Sequence, residues 1–245
     1  MTGGATYLRY ELRRTLRNRR FYIFSFGFPL VLYYLIAGTN RGTRLSGTDL
    51  SFATYYMVSV SSFGTMTAML STGARISAER AAGWNRQLRI SPLSPTAYFR
   101  TKVVTAYLVA IVSLLLLYVA GLTLGVSIPA GRWVRMTVLI ALGLMPFAAA
   151  GIVIGHLVPV DSTGPVMGGL TAVLAFISGT WFPIGDHGVV HDIAQVLPSY
   201  YLVEAGRTAL GGNAWGTTGW VVVVVWTVVL ARVAREVYRR DTARG

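Results

Sequence analysis

The sequence contains no cysteine, one lysine (Lys102) and only nine acidic residues in 245 positions. Without cysteine there are no disulfides, no thiolate nucleophile and no Cys-ligated metal site. The few acids face 22 basic residues, which gives a formal charge of +13. Even so, charged residues make up only 13% of the chain, about half the share usual in a soluble domain. Apolar residues fill the difference, at 53% of the sequence with a mean hydropathy of +0.55. That apolar content excludes a disordered chain. Nucleic-acid binding is the usual reading of a pI near 10.6, but it needs a continuous basic surface, and here long apolar runs separate the charges. A chain both apolar and basic fits a membrane protein whose charges sit at the ends of its spans.

Six apolar runs approach the roughly 20 residues that cross a bilayer core as a helix. They are 21–38, 52–73, 103–126, 136–158, 164–182 and 215–231, and none holds Asp, Glu, Lys or Arg. The last includes the run Val221 to Val225, which would suggest a buried strand in water. In lipid only helices and closed barrels satisfy the backbone, so a helix is expected. If residues 1–20 are cytoplasmic, the segments 1–20, 75–102 and 232–245 carry seventeen of the 22 basic residues. The other five are Arg41, Arg44, Arg132, Arg135 and Arg207. Loop Lys/Arg bias sets orientation, so both termini are expected inside. A signal-peptide reading of the first run suffers from its length, since signal cores usually have about 7–15 residues.

Between the spans lie three informative segments. In residues 7–20, Leu8, Leu12 and Leu16 recur every four positions beside a stripe of Arg9, Arg13, Arg17 and Arg20. This predicts an amphipathic helix lying on the membrane against anionic head groups. In the 75–102 loop, Gly83 is expected to end a helix and a further short turn is expected around 84–89, before Pro92. Ser94-Pro95 reads as an N-cap with Pro at the first helical position. The 183–214 segment is too long for a turn and semi-apolar, which predicts short helices dipping into the outer leaflet.

The loop reads Glu79-Arg80, Gly83, Leu88, Pro92-Leu93-Ser94, Tyr98 and Lys102, with Ser178-Gly179 and Phe182-Pro183 closing the fifth run and Pro198 and Tyr201 beyond it. In order and spacing these resemble type-2 ABC exporter permeases, the group that includes daunorubicin-resistance and polysaccharide-export permeases. The resemblance covers nearly the whole chain. It implies a single all-α transmembrane domain over 1–245: six transmembrane helices, an N-terminal interfacial helix, a cytoplasmic coupling helix, and short extracellular helices before the last span. It also implies a bacterial cytoplasmic membrane location, a second permease copy or sister permease, and separate cytoplasmic ATPase subunits that hold ATP and Mg. No cofactor is expected in this chain. By the same resemblance Glu79, Arg80, Gly83, Trp84 and Arg86 contact the ATPase. The lone lysine supports a separate motor. A P-loop needs G-x-x-x-x-G-K-[ST], and Lys102 follows Arg100 and Thr101.

For the pathway, Ser59, Ser62, Thr65, Met66 and Met69 gather on one side of the second run, with Phe52, Tyr56, Phe63 and Leu70 opposite and suited to lipid. Thr171, Phe176 and Ser178 add polar and aromatic groups in the fifth. With no charge inside any span, such a lining suits an amphipathic, drug-like or lipid-like substrate, and ordinary helix packing explains the same residues equally well. The pairs Gly121/Gly125, Gly151/Gly155 and Gly164/Gly168 predict close helix approach, and Pro146 predicts a kink. His156 is expected to hydrogen-bond a neighbouring helix. His187 and His191 have the spacing of a helical metal pair, but Gly188 and Gly185 indicate a loop with solvated side chains. Three other readings stay open: a haem-export permease of cytochrome maturation, with a similar six-span plan, a polytopic membrane enzyme, and a non-ATP channel or structural subunit.

Overall fold

The computed structural model describes residues 3–18, 23–45, 50–84, 93–181, 184–185 and 187–243. These are helical, and a lone bridge between Arg44 and Ser51 is the one β pairing among them. In chain order the helices are α1 (Gly3–Leu16), α2 (Phe28–Thr39, entered through a π-turn at Ile23–Gly27), α3 (Phe52–Leu70), α4 (Thr72–Ala81), α5 (Pro95–Thr123), α6 (Ala130–Gly143), α7 (Met145–Leu157), α8 (Val160–Ile177), α9 (Val189–Gln195), α10 (Pro198–Arg207) and α11 (Thr217–Ala243).

Among the described residues, four helices are long and apolar enough to cross a membrane: Pro95–Thr123, Ala130–Leu157, Val160–Ile177 and Thr217–Asp241. Ser25–Thr39 is apolar but shorter. The expected span at 52–73 ends at Leu70, and Ser71 separates α3 from α4. The valine run lies inside α11 as a helix, with Val223 buried and Val221, Val224 and Val225 exposed. The expected kink is a break at Leu144, two residues before Pro146, which then occupies the first turn of α7. The start of α5 is also as read: the Ser94 hydroxyl accepts from the Ala97 N–H at 3.2 Å and Pro95 opens the helix.

The sequence misjudges α3. Sixteen of its nineteen residues are buried, because α2, α5, α7, α8 and α10 all pack around it. Tyr56, Phe63 and Leu70, expected to face lipid, are buried. Phe63 lies against Phe28 and Trp181, with ring centroids 6.3 and 5.1 Å away. In a membrane the inside of a bundle and the lipid outside are equally apolar, so side-chain size does not report which way a residue faces.

Two glycine contacts set the bundle's tightest crossing. A Cβ on Gly155 would lie 2.6 Å from the Ile76 Cβ and 2.7 Å from the Gly73 carbonyl, and one on Gly73 would lie 2.5 Å from the Gly151 carbonyl. Thus α4 and α7 meet backbone to backbone. Gly121 abuts Met57, whereas Gly164 and Gly168 have no neighbour within 4 Å. The second half of the 183–214 segment is built in: α10 buries Tyr201, Leu202, Val203 and Ala205 against α3 and α6.

Candidate functional site

A cluster of charged side chains gathers at the end of the bundle where α1, α4, the start of α5 and the turn from α7 into α8 meet. The face that α1 buries is Tyr7, Glu11 and Thr15, four residues apart. The expected apolar stripe does not supply that buried face: Leu8 and Leu12 are only half-buried. Glu11 points inward to meet Lys102 of α5 and Arg75 of α4. Lys102 Nζ lies 2.8 Å from Glu11 Oε1 and 2.7 Å from both Glu79 oxygens. Arg75 Nη2 donates to Glu11 Oε1 at 2.7 Å, and Arg14 Nη1 to Glu79 Oε1 at 2.9 Å. Glu11, Glu79 and Lys102 are at most 1% exposed. Two carboxylates and three cations thus form one network, buried at its Glu11–Lys102–Glu79 centre, that ties α1, α4 and α5 together.

An ammonium suits its centre, since three donors on one compact atom can meet three acceptors at once. The Tyr98 ring lies beneath, 5.4 Å from Nζ, and Tyr7 stacks on Tyr98 at 6.2 Å. Burial alone would raise the Glu11 pKa, but Lys102 and Arg75 outweigh it and hold the group below the ordinary carboxylate range. Burial, with Glu11 and Glu79 nearby, pushes the Tyr7 phenol well up. Because Glu11 holds its proton less readily folded than unfolded, its contact is stabilising above the ordinary carboxylate pKa and is lost as the pH falls through the lowered one. Acidification should therefore release α1 before the bundle melts. A spin label on Arg13→Cys, in a chain with no other cysteine, should gain mobility in that acid window. In an added Glu11→Gln background the acid step should disappear.

The expected ATPase-contact residues divide. Glu79 faces inward and is fully engaged. Arg80 Nε and Nη2 clasp both oxygens of Asp241 on α11, at 2.9 and 3.1 Å, and Nη1 reaches the Gly155 carbonyl at 3.3 Å. Gly83 follows the end of α4 with φ +72°, a left-handed conformation that favours glycine. Trp84 stacks on Tyr10 of α1, centroids 5.8 Å apart. Arg86 and the expected turn at 84–89 lie in or against 85–92, outside the described residues. Together Arg80 and Trp84 clip the elbow to the last helix and to the first.

Of the expected pathway residues, Ser59, Ser62, Thr65, Met66, Met69, Thr171 and Ser178 are buried within the chain, while Phe176 is 61% exposed. The hydroxyls of Ser62, Thr65, Thr171 and Ser178 bond backbone: Thr65 donates to the Ser61 carbonyl at 2.7 Å and Thr171 to that of Met167 at 2.5 Å. Ser62 donates to the Leu202 carbonyl at 3.1 Å, which pins α10 against α3. His156 differs from expectation: its Nδ1 lies 2.9 Å from the Ile152 carbonyl of its own helix, and Tyr98 and Tyr238 meet the ring edge-on. His191 pairs with Gln195 at 2.7 Å. Among the described residues no three His, Asp or Glu gather as metal ligands.

The elbow α4 follows the buried α3 and is braced on the first and last helices, through partners that the loop pattern alone did not name. The family model described as ABC-2 family transporter protein matches residues 34–234. The chain belongs to the ABC-2 transporter family. It is also 23% identical over 236 residues to the Bacillus subtilis (strain 168) protein named Putative transport permease YvfS, a match covering 95% of this chain and 96% of the relative. Membership makes this chain a multi-pass membrane permease of an ABC transporter, a transport subunit and not an enzyme. Within the ABC-2 match lie α3, the elbow α4 and Lys102, while Glu11 and Arg14 lie before it. The sequence reading missed the network because its partners lie far apart, 91 residues in the case of Lys102 and Glu11. The available signals were two acids isolated in Arg-rich segments and one lysine among 21 arginines.

Proposed function

We propose that this chain is one permease of an ATP-driven exporter in a bacterial cytoplasmic membrane, with both termini cytoplasmic and six spans in all, α2 and the buried α3 included. A second permease, the same chain or a sister, would complete the pathway. Separate ATPase subunits would bind ATP and Mg and push on the elbow formed by α4 and the following loop. The observation that carries this reading is the bracing of that elbow: Arg80 joins it to α11, and the Glu79–Lys102–Glu11 network joins it to α5 and α1. A push at Trp84 would then move several helices as one body. Glu79 and Arg80 would transmit that motion from inside, with Gly83, Trp84 and Arg86 nearer the ATPase.

The substrate would be amphipathic, drug-like or lipid-like. Ser59, Ser62, Thr65, Met66, Met69, Thr171 and Ser178 would line its route once the two permeases rock apart in alternating access, with Phe176 at the outer face. Among the described residues, buried Asp, Glu, Lys and Arg are confined to the elbow network, which leaves that route without a partner for a small ion.

The coupling assignment is tested by recovering the ATPase with the purified permease. Trp84→Ala combined with Arg86→Glu should lower recovery by about thirtyfold, the scale of a lost Trp and Arg anchor, while Tyr10→Ala, which removes the same stack on α1 and leaves Trp84 and Arg86 in place, should lower it far less. Full recovery with the double variant would place the contact elsewhere.

A further inference from the structure

A groove of about 1030 Å³ runs between α5, α7 and α11. Its body is apolar, formed by Val103, Tyr107, Met145, Ala148, Ile152 and Ala231. One end is cationic: Arg100 of α5 lines it together with Arg235 and Arg239 of α11. The two α11 arginines are four residues apart and so share a face. Tyr238 keeps that face beside α5, its ring 4.9 Å from Phe99 and 5.5 Å from Tyr98. Asp241 is held by Arg80, and Glu236 bonds Arg240 at 2.9 Å; Glu236 also lies 3.9 Å from Arg239, so that groove arginine already has an acidic neighbour. Among the described residues, Arg100 and Arg235 have no carboxylate partner.

We propose that this groove binds one anionic phospholipid. The three guanidiniums would meet the phosphate, to which their planar forks are matched. The acyl chains would lie along Val103, Tyr107, Met145 and Ala231. Charge complementarity selects the head group: a phosphatidylcholine carries its own cation into a site that already holds three, whereas phosphatidylglycerol does not. The groove is also separate from the α3 and α8 residues assigned to the pathway, so the lipid is a bound partner of the outer surface and not cargo in transit. Lipid binding here needs only the membrane location that family membership establishes, while the statement that the lipid is not cargo rests on the pathway proposed above.

The test uses the full chain in phosphatidylcholine nanodiscs carrying a trace of spin-labelled phosphatidylglycerol or spin-labelled phosphatidylcholine. The wild type should hold the glycerol lipid several-fold more strongly. Each of Arg100→Gln and Arg235→Gln should lower that preference by about fivefold, the scale of one basic residue at an anionic surface, or to parity where the starting preference is smaller. The triple variant with Arg239→Gln should abolish it. Ala231→Trp, which fills the apolar body and leaves every charge in place, should weaken retention of the glycerol lipid. Arg132→Gln with Arg135→Gln, on α6, should change nothing. A preference that survives the triple variant, or that falls equally with the α6 pair, overturns the proposal. So does one unaffected by Ala231→Trp, which would mean a diffuse attraction. Recovery of the ATPase lost with the triple variant while the lipid preference persists would make the groove a protein contact instead.

Discussion

Replacing Lys102 by methionine is expected to destabilise the chain by about 3–5 kcal/mol, the cost of leaving buried charges without their partner. Lys102 contacts Glu11 and both oxygens of Glu79. Without it, Arg75 and Arg14 each remain on one carboxylate, and nothing sits between the two acids. A loss of that size should lower the thermal midpoint in detergent by roughly ten degrees or more for a domain of this length. Lys102→Met with Glu79→Gln should regain most of it, because the variant then removes a cation and an anion together. Lys102→Arg should keep the charge and still lose stability, since a planar fork cannot replace one compact atom contacting three acceptors. A midpoint unchanged in Lys102→Met would mean that the network contributes no stability to the fold.

The second large effect is expected at the α4–α7 crossing. Gly155→Ala places a methyl 2.6 Å from the Ile76 Cβ and 2.7 Å from the Gly73 carbonyl, where backbone on one side cannot yield. Overpacking of this kind costs about 1–3 kcal/mol or more, and the helices must part to accept it. Because α4 carries the elbow, transport should fall further than stability does. Gly164→Ala and Gly168→Ala serve as the contrast, since each has open space around it within the chain. They should leave unfolding of the single chain unchanged. Equal destabilisation at Gly155 and Gly164 would show that the crossing is not the tight contact described.

What the sequence makes legible is what the bilayer and local geometry dictate. The apolar runs mark the helices because lipid permits no other backbone. Ser94-Pro95 and Gly83 mark helix ends because capping and left-handed conformations are local. Pro146 marks a helix start because the first turn is where a missing N–H costs no intrahelical bond. The positions that sequence misplaces depend on the third dimension. Phe63 and Leu70 look suited to lipid but are buried, because hydrophobicity does not separate core from lipid. The partner of the Ser62 hydroxyl, a carbonyl 140 residues away, is likewise invisible to a local pattern. Glu11 lies in a stretch dominated by arginines, which reads as a topology signal, and its burial depends on Lys102 and Arg75 arriving from two other helices. The elbow residues show both cases: their pattern identified the family, while the partners of Glu79 and Arg80 required the fold.

The central claim is that this permease works only with a motor supplied by another chain. The direct measurement is substrate flux in proteoliposomes holding the permease with and without ATPase subunits, with and without ATP and Mg. The account predicts flux only when permease, ATPase and nucleotide are all present, and no ATP hydrolysis by the permease alone. Flux through the permease in the absence of nucleotide, or hydrolysis by the isolated chain, would contradict it.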